Sequence, residues 1–254
     1  MASQIQKVLK QALLTFTNSS PVHFIAGLDS LASVLDKTTA EDLNFDITAA
    51  TKSEEGAPVT YIDVFEDSTL TMGIFVLQKD KKLPLHNHPE MYGLIKVLAG
   101  KIMVKSYSIN TPATIEADTR SCKDNQTGSG SNIMLSPDKG KRKRFVTAEF
   151  VSSDIIGVDS KPCILDPNKR NIHEIHSVGG PAAFIDILAP PYNTLIPGVG
   201  PRYCSYYSIV TILPNVSNVY RLQETKNPSW YWTDTAPYLG PDPTANMNIE
   251  SESV

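Results

Sequence analysis

The chain has 254 residues, a net charge of −4, 41% hydrophobic residues and 20% charged residues. That balance is ordinary for a globular domain long enough to bury a core without staples, and it gives no reason to expect a polyanionic partner. The cysteines, Cys122, Cys163 and Cys204, are odd in number and widely spaced, which excludes a disulfide framework and points to a reducing compartment.

The first turns mix Ser3, Gln4 and Gln6 with Lys7 and Lys10, unlike a signal peptide, and no apolar run approaches membrane-spanning length. The expectation is a cytoplasmic protein with no membrane contact. Ile5, Val8, Leu9, Ala12, Leu13 and Phe16 share one helical face over 4–16. A short helical stretch covers 30–35, and a third helix is expected from Thr38, where Thr38-x-x-Glu41 has the form of a capping box.

After Asp46 short β-branched and aromatic runs take over: 60–65, 70–77, 92–98, 102–107, 144–150, 155–158, 171–177, 182–188 and 204–213. With turns rather than helices between them, they predict an all-β sandwich or barrel. Residues 110–143 interrupt this pattern: 117–131 is mostly polar, and the basic run Lys139 to Arg144 follows. They read as a solvated insertion in preference to a nuclear-import or nucleic-acid patch, although a nuclear location beside the cytoplasm stays open. Cys122 lies in this insertion and is assigned no role. Trp230, Tyr231 and Trp232 are expected to cover a sheet edge. The organisation is therefore a helical layer (1–46) packed on a barrel (47–243), followed by a disordered tail (244–254), with a monomer as the default.

Two of the five histidines form His86-Asn87-His88 between apolar, strand-like flanks. Side chains two apart on a strand share a face, so both imidazoles point to one spot, the beginning of a transition-metal site. His23 falls in the helical region. His173 and His176 fall on opposite faces of one strand, so only one can join the pair. His176 shares its face with Glu174, which suggests solvent, whereas His173 shares its face with Asn171 and Ile175, which favours His173.

An H-x-H on a strand, Gly100 in a turn a dozen residues on, and a later strand carrying one more histidine resemble the cupin barrel. Many cupins place a glutamate four or five residues after the second histidine. Tyr92 and Gly93 stand there, and Glu90 is too close. Three imidazoles without a carboxylate resemble the thiol dioxygenase branch. Asn171-Ile172-His173, Gly180 to Tyr192 with its run Asp186-Ile187-Leu188-Ala189-Pro190-Pro191-Tyr192, and Arg202 to Tyr207 are similar to the cysteamine (2-aminoethanethiol) dioxygenase and plant cysteine oxidase family. The likeness runs from about residue 70 to 240.

The resemblance implies a cupin (double-stranded β-helix, jelly-roll) fold and an Fe(II) centre held by His86, His88 and His173. It also implies O2-dependent oxidation of a thiol to a sulfinate, on cysteamine, on peptides that begin with cysteine, or on both. Oxidation of N-terminal cysteine would make the protein an oxygen sensor. Asp186 then pairs with a ligand histidine or with the substrate's ammonium group, the alternative being a strand-end aspartate. Tyr192 supplies a phenol beside the bound oxygen or packs a Pro-Pro-Tyr corner. Cys204 and Tyr206 share a strand face and, by the resemblance, can become a thioether crosslink. The competing readings are a non-catalytic small-molecule-binding cupin and a metal cupin of another reaction type.

Overall fold

The computed structural model describes residues 2–51, 56–109, 111–112, 144–214 and 216–245. The calls on the 113–143 part of the insertion, on Cys122 and on the tail beyond Ala245 lie outside these residues. Helix α1 (Gln4–Phe16) is stopped at its start by Ser3 and Gln6, whose side chains each bond the other's backbone N–H. Helix α2 (Pro21–Asp36) is much longer than the stretch expected at 30–35. Its first half exposes Val22 and Ile25, which blurs the apolar period, while Pro21 at the first turn suits a helix start. The helix expected from Thr38 is instead a single 3-10 turn, Glu41–Leu43. The reciprocal cap exists one residue later, between Thr39 and Asp42. A one-turn helix, α3 (Ile47–Ala50), precedes the sheets.

The strands are β1 (Val59–Glu66), β2 (Thr71–Leu77), β3 (Lys82–Asn87), β4 (Tyr92–Ala99), β5 (Lys101–Ser108), β6 (Phe145–Gly157), β7 (Cys163–Leu165), β8 (Ile172–Ser177), β9 (Ala182–Ala189), β10 (Leu195–Ile196), β11 (Gly200–Pro201), β12 (Tyr206–Ile212), β13 (Val219–Thr225) and β14 (Thr233–Thr235). One sheet has the order β14-β1-β2-β9-β4-β7, and β12-β13-β6-β5-β8-β3 closes into a ring. This is the all-β double-stranded β-helix that the strand pattern and the cupin resemblance imply. The runs expected at 144–150 and 155–158 are one strand, β6, because the polar segment between them keeps pairing with β5.

Alternation along the strands divides the core. One face of the first sheet, with Met72, Ile74, Leu94, Ile185 and Ile187, is covered by Ile5, Val8, Leu9, Leu31 and Leu35 of the helices. The opposite face, with Val97 and Phe184, meets Leu83, Ile102, Val104 and Ile175 of the ring strands. Leu85, Tyr107, Ala148, Ile172 and Leu222 form a separate cluster drawn from five of the ring strands. At the β4–β5 turn Gly100 has φ 69°, and a Cβ there would sit 2.4 Å from the Pro181 carbonyl oxygen, so only glycine makes this turn.

Candidate metal centre

The H-x-H stands at the end of β3. His86 pairs across the ladder with His173 of β8 and, on its other side, with Tyr206 of β12. His88 is carried just past the strand, where its backbone N–H donates to the Asn171 carbonyl (2.8 Å). The three imidazoles converge: each offers a ring nitrogen, and these lie within 4.8 Å of one another. Nε2 of His88 and Nε2 of His173 are 3.1 Å apart. His176 is on the other face, 3.2 Å from Glu174, which Lys82 and Lys105 also contact. His23 is exposed on α2. Burial lowers the pKa of all three converging histidines, and the positive charge each neighbour would carry lowers those of His88 and His173 further. They stand as neutral imidazoles, the form that ligates metals.

Hydrogen bonds aim the lone pairs. Nδ1 of His86 lies 2.8 Å from the Pro84 carbonyl, so it donates and leaves Nε2 free. The Tyr192 hydroxyl donates to the Asn87 carbonyl (2.6 Å) and lies 2.9 Å from Nδ1 of His88. With its one proton spent on Asn87, the phenol oxygen accepts from His88 Nδ1–H, and Nε2 of His88 is again the lone-pair nitrogen. Two neighbouring imidazoles on a first-row divalent ion, with bonds of about 2.1 Å, place their nitrogens about 3 Å apart, in keeping with the 3.1 Å seen here. The donor set fits such an ion. No carboxylate joins it among the described residues, and a Cβ on Gly93 would meet Leu165 and Leu188 at 2.9 Å, so leucine side chains fill the room a longer side chain at 93 would need.

The histidines line a cavity of about 180 Å3 together with Asp186, Tyr192, Cys204, Tyr206, Phe75, Leu188 and Tyr231. The structure therefore brings every sequence-derived site residue to one place. Asp186 does not orient a ligand histidine; Tyr192 holds that position on His88. Asp186 sits on β9 between Gly73 of β2 and Ile95 of β4, and its Oδ1 is buried without a hydrogen-bond partner among the described residues. Behind it is a second cavity of about 210 Å3 lined by Tyr61, Glu66 and Thr71, which Asp186 and Tyr192 also border. The Cys204 thiol lines the cavity beside Tyr192 and Tyr206, and burial raises its pKa. Tyr206 is pushed up to about 12 by burial and by Cys204.

Sequence reasoning missed two residues. Tyr231, expected only to cover an edge, lines the cavity and packs on Tyr206 with ring centroids 6.1 Å apart. Asn87 ties the ring shut: its Oδ1 accepts from Ser205 N–H (2.8 Å) and its N–H donates to the Ser205 carbonyl (3.1 Å). The aromatic run could have signalled Tyr231; nothing local signals Asn87.

Burial raises the Asp186 carboxyl from the ordinary 3.8 to about 7. Between those values the folded protein holds a proton that the unfolded chain has released, so this group's contribution falls as pH rises through the window. Asp186→Asn in metal-free protein is therefore expected to be more stable than wild type at pH 8, by up to about 4 kcal/mol, with the difference gone near pH 3. Urea unfolding at both pH values checks this, and a difference independent of pH refutes it.

The PCO_ADO family model matches residues 32–242. The chain is 33% identical to 2-aminoethanethiol dioxygenase of Mus musculus, over 95% of this chain and 96% of that protein. It is 31% identical to 2-aminoethanethiol dioxygenase of Homo sapiens, over 95% and 97%. Plant cysteine oxidase 1 of Arabidopsis thaliana is 25% identical over 71% of this chain and 54% of that protein. With a match across most of its length and both 2-aminoethanethiol dioxygenases covered almost end to end, the chain belongs to the PCO_ADO family.

Proposed function

We propose that the protein is an iron(II) thiol dioxygenase that uses O2 to convert the thiol of cysteamine, or of a cysteine at a peptide N-terminus, to a sulfinate. The observation that carries this is the set of three buried, neutral imidazoles, with no carboxylate in the donor set among the described residues, opening on a cavity of about 180 Å3. Iron(II) held by His86, His88 and His173 would supply a full divalent charge that favours a thiolate over a thiol, and redox chemistry with O2. The protein's own groups do the rest. Tyr192 fixes the tautomer of His88. The Asp186 carboxyl faces the same cavity, and cysteamine and N-terminal cysteine both carry an amine two carbons from sulfur. Pairing with that ammonium would return Asp186 to its charged form and orient the substrate. Phe75, Leu188 and Tyr231 keep the cavity largely apolar. Cys204 and Tyr206 line the same cavity, and a thioether between them would remove one hydrogen from each, with O2 as the two-electron oxidant that takes up both.

Turnover limited by O2 supply would make the enzyme an oxygen sensor for cysteine-initiated proteins. It is read as a cytoplasmic monomer, with a nuclear pool open. Protein loaded with ferrous iron and given O2 should add the mass of two oxygen atoms to cysteamine or to a Cys-initiated peptide. The 204–206 peptide of the same sample should be lighter by two hydrogens. Iron bound but neither substrate oxidised would overturn the assignment.

A further inference from the structure

Strand β12 is paired along one edge only. It bonds β13 over its whole length, but on the other edge it meets β3 in a single pair, Tyr206 with His86, and makes no further ladder pair there among the described residues. Beyond Tyr206 no described strand pairs with this edge, and Ile209, Val210 and Ile212 are 47%, 51% and 56% exposed. The run Tyr206-Tyr207-Ser208-Ile209-Val210-Thr211-Ile212 has no charge and no proline. Charge and proline are two of the devices by which sheets blunt an open edge; β12 keeps only a third, a bulge at Val210, and its apolar, uncharged edge remains a template for another strand.

The open edge starts inside the site. Tyr206 lines the cavity with the three histidines, and so do Leu83 and Pro84 of β3, the strand that parts from it. Pro84 has no N–H, so β3 is the poorer edge of the two. The cavity, about 180 Å3, falls below the ~300–1,000 Å3 of pockets that enclose a drug-sized ligand. With its first residue seated there, a peptide of several residues runs on beyond this cavity.

We propose that the edge of β12 is the docking strand for the substrate: a peptide that begins with cysteine seats its first residue in the cavity and lays the following residues, extended, along Tyr207 to Ile212. This rests on the thiol dioxygenase reading and makes peptides the better substrates. Main-chain bonds give affinity with little regard to sequence, and the exposed isoleucines and valine favour apolar side chains at alternate peptide positions.

Wild-type, iron-loaded enzyme is given cysteamine, a Cys-initiated dipeptide, and a Cys-initiated octapeptide carrying a single backbone N-methyl group at each position from the third onward. Along one edge of a strand alternate N–H groups face the partner. The octapeptide is expected to have a KM about tenfold below the dipeptide's. N-methylation at one parity should raise KM about fivefold, and at the other parity leave it unchanged. Val210→Pro should raise the octapeptide KM and spare cysteamine turnover; Val210 is the bulged position, without a Cα partner in the β12–β13 register. Equal KM values for dipeptide and octapeptide, or no alternation with parity, overturn the docking strand while the dioxygenase assignment stands. So does a Val210→Pro variant that slows cysteamine and peptide alike, as a pairing edge between two copies would. Loss of oxidation of cysteamine and dipeptide by the wild type overturns both.

Discussion

His173→Ala is expected to lower iron affinity by at least about a hundredfold and to abolish thiol oxidation, whereas His176→Ala keeps both. Groups that merely orient a metal ligand already account for 10–100-fold in affinity, so removing one of three ligands lies at or beyond the upper end of that range. His173 is the second residue of β8, 4% exposed, between His86 on β3 and Ser106 on β5. No other described histidine reaches its position, because the next one along the strand projects from the opposite face. His176 is a partly exposed partner of Glu174, which keeps Lys82 and Lys105 when the imidazole is gone. Losing a contact of that kind costs about 0–1 kcal/mol. Metal content after desalting, read beside sulfinate formation, separates the two variants. Iron retained by His173→Ala and lost by His176→Ala would move the centre to the other face of β8 and dissolve the site as described.

The same comparison shows why the metal centre was readable in the sequence. Strand parity is a two-residue rule, so His86 and His88 share a face, and His173 and His176 do not, whatever the rest of the chain does. Short strands with β-branched residues and turn punctuation gave most of the sheet for the same local reason. What escaped depends on contacts distant in sequence. β13, with Arg221, Gln223 and Glu224 among its residues, does not read as an apolar run, yet it is fixed between β12 and β6. β7, β10, β11 and β14 span two or three residues each, too short for any periodicity. Ser152, Ser153 and Asp154 looked like a gap between strands because their side chains are polar, while their backbone pairs with β5. Asp186 was legible as an odd charge in an apolar run, but which of its possible partners it meets was not. That is decided by the turn after β9, which returns Tyr192 to His88 across 104 residues.

Tyr192→Phe tests that assignment, and its expected effect is a 10–100-fold loss of iron affinity with the fold retained. The ring that fills the corner stays; only the hydroxyl goes. That hydroxyl donates to the Asn87 carbonyl and accepts from His88 Nδ1–H, so its removal leaves two inward-facing polar groups unpaired, at about 1–3 kcal/mol each. The cheapest relief is for His88 to move its proton to Nε2 or turn its ring, and either takes the lone pair away from the centre. Asp186→Asn behaves differently. Asp186 bonds none of the three histidines, so the amide should leave iron affinity within a few fold. Its damage should appear as a raised KM for aminothiols, with less effect on a thiol that lacks the amine. Iron titration of the two variants, with KM and kcat measured on substrates with and without the ammonium group, distinguishes a residue that sets the metal ligand from one that seats the substrate. If Asp186→Asn loses iron and Tyr192→Phe keeps it, the carboxylate is the group that orients the histidines and the hydrogen bond to His88 carries no weight in metal binding.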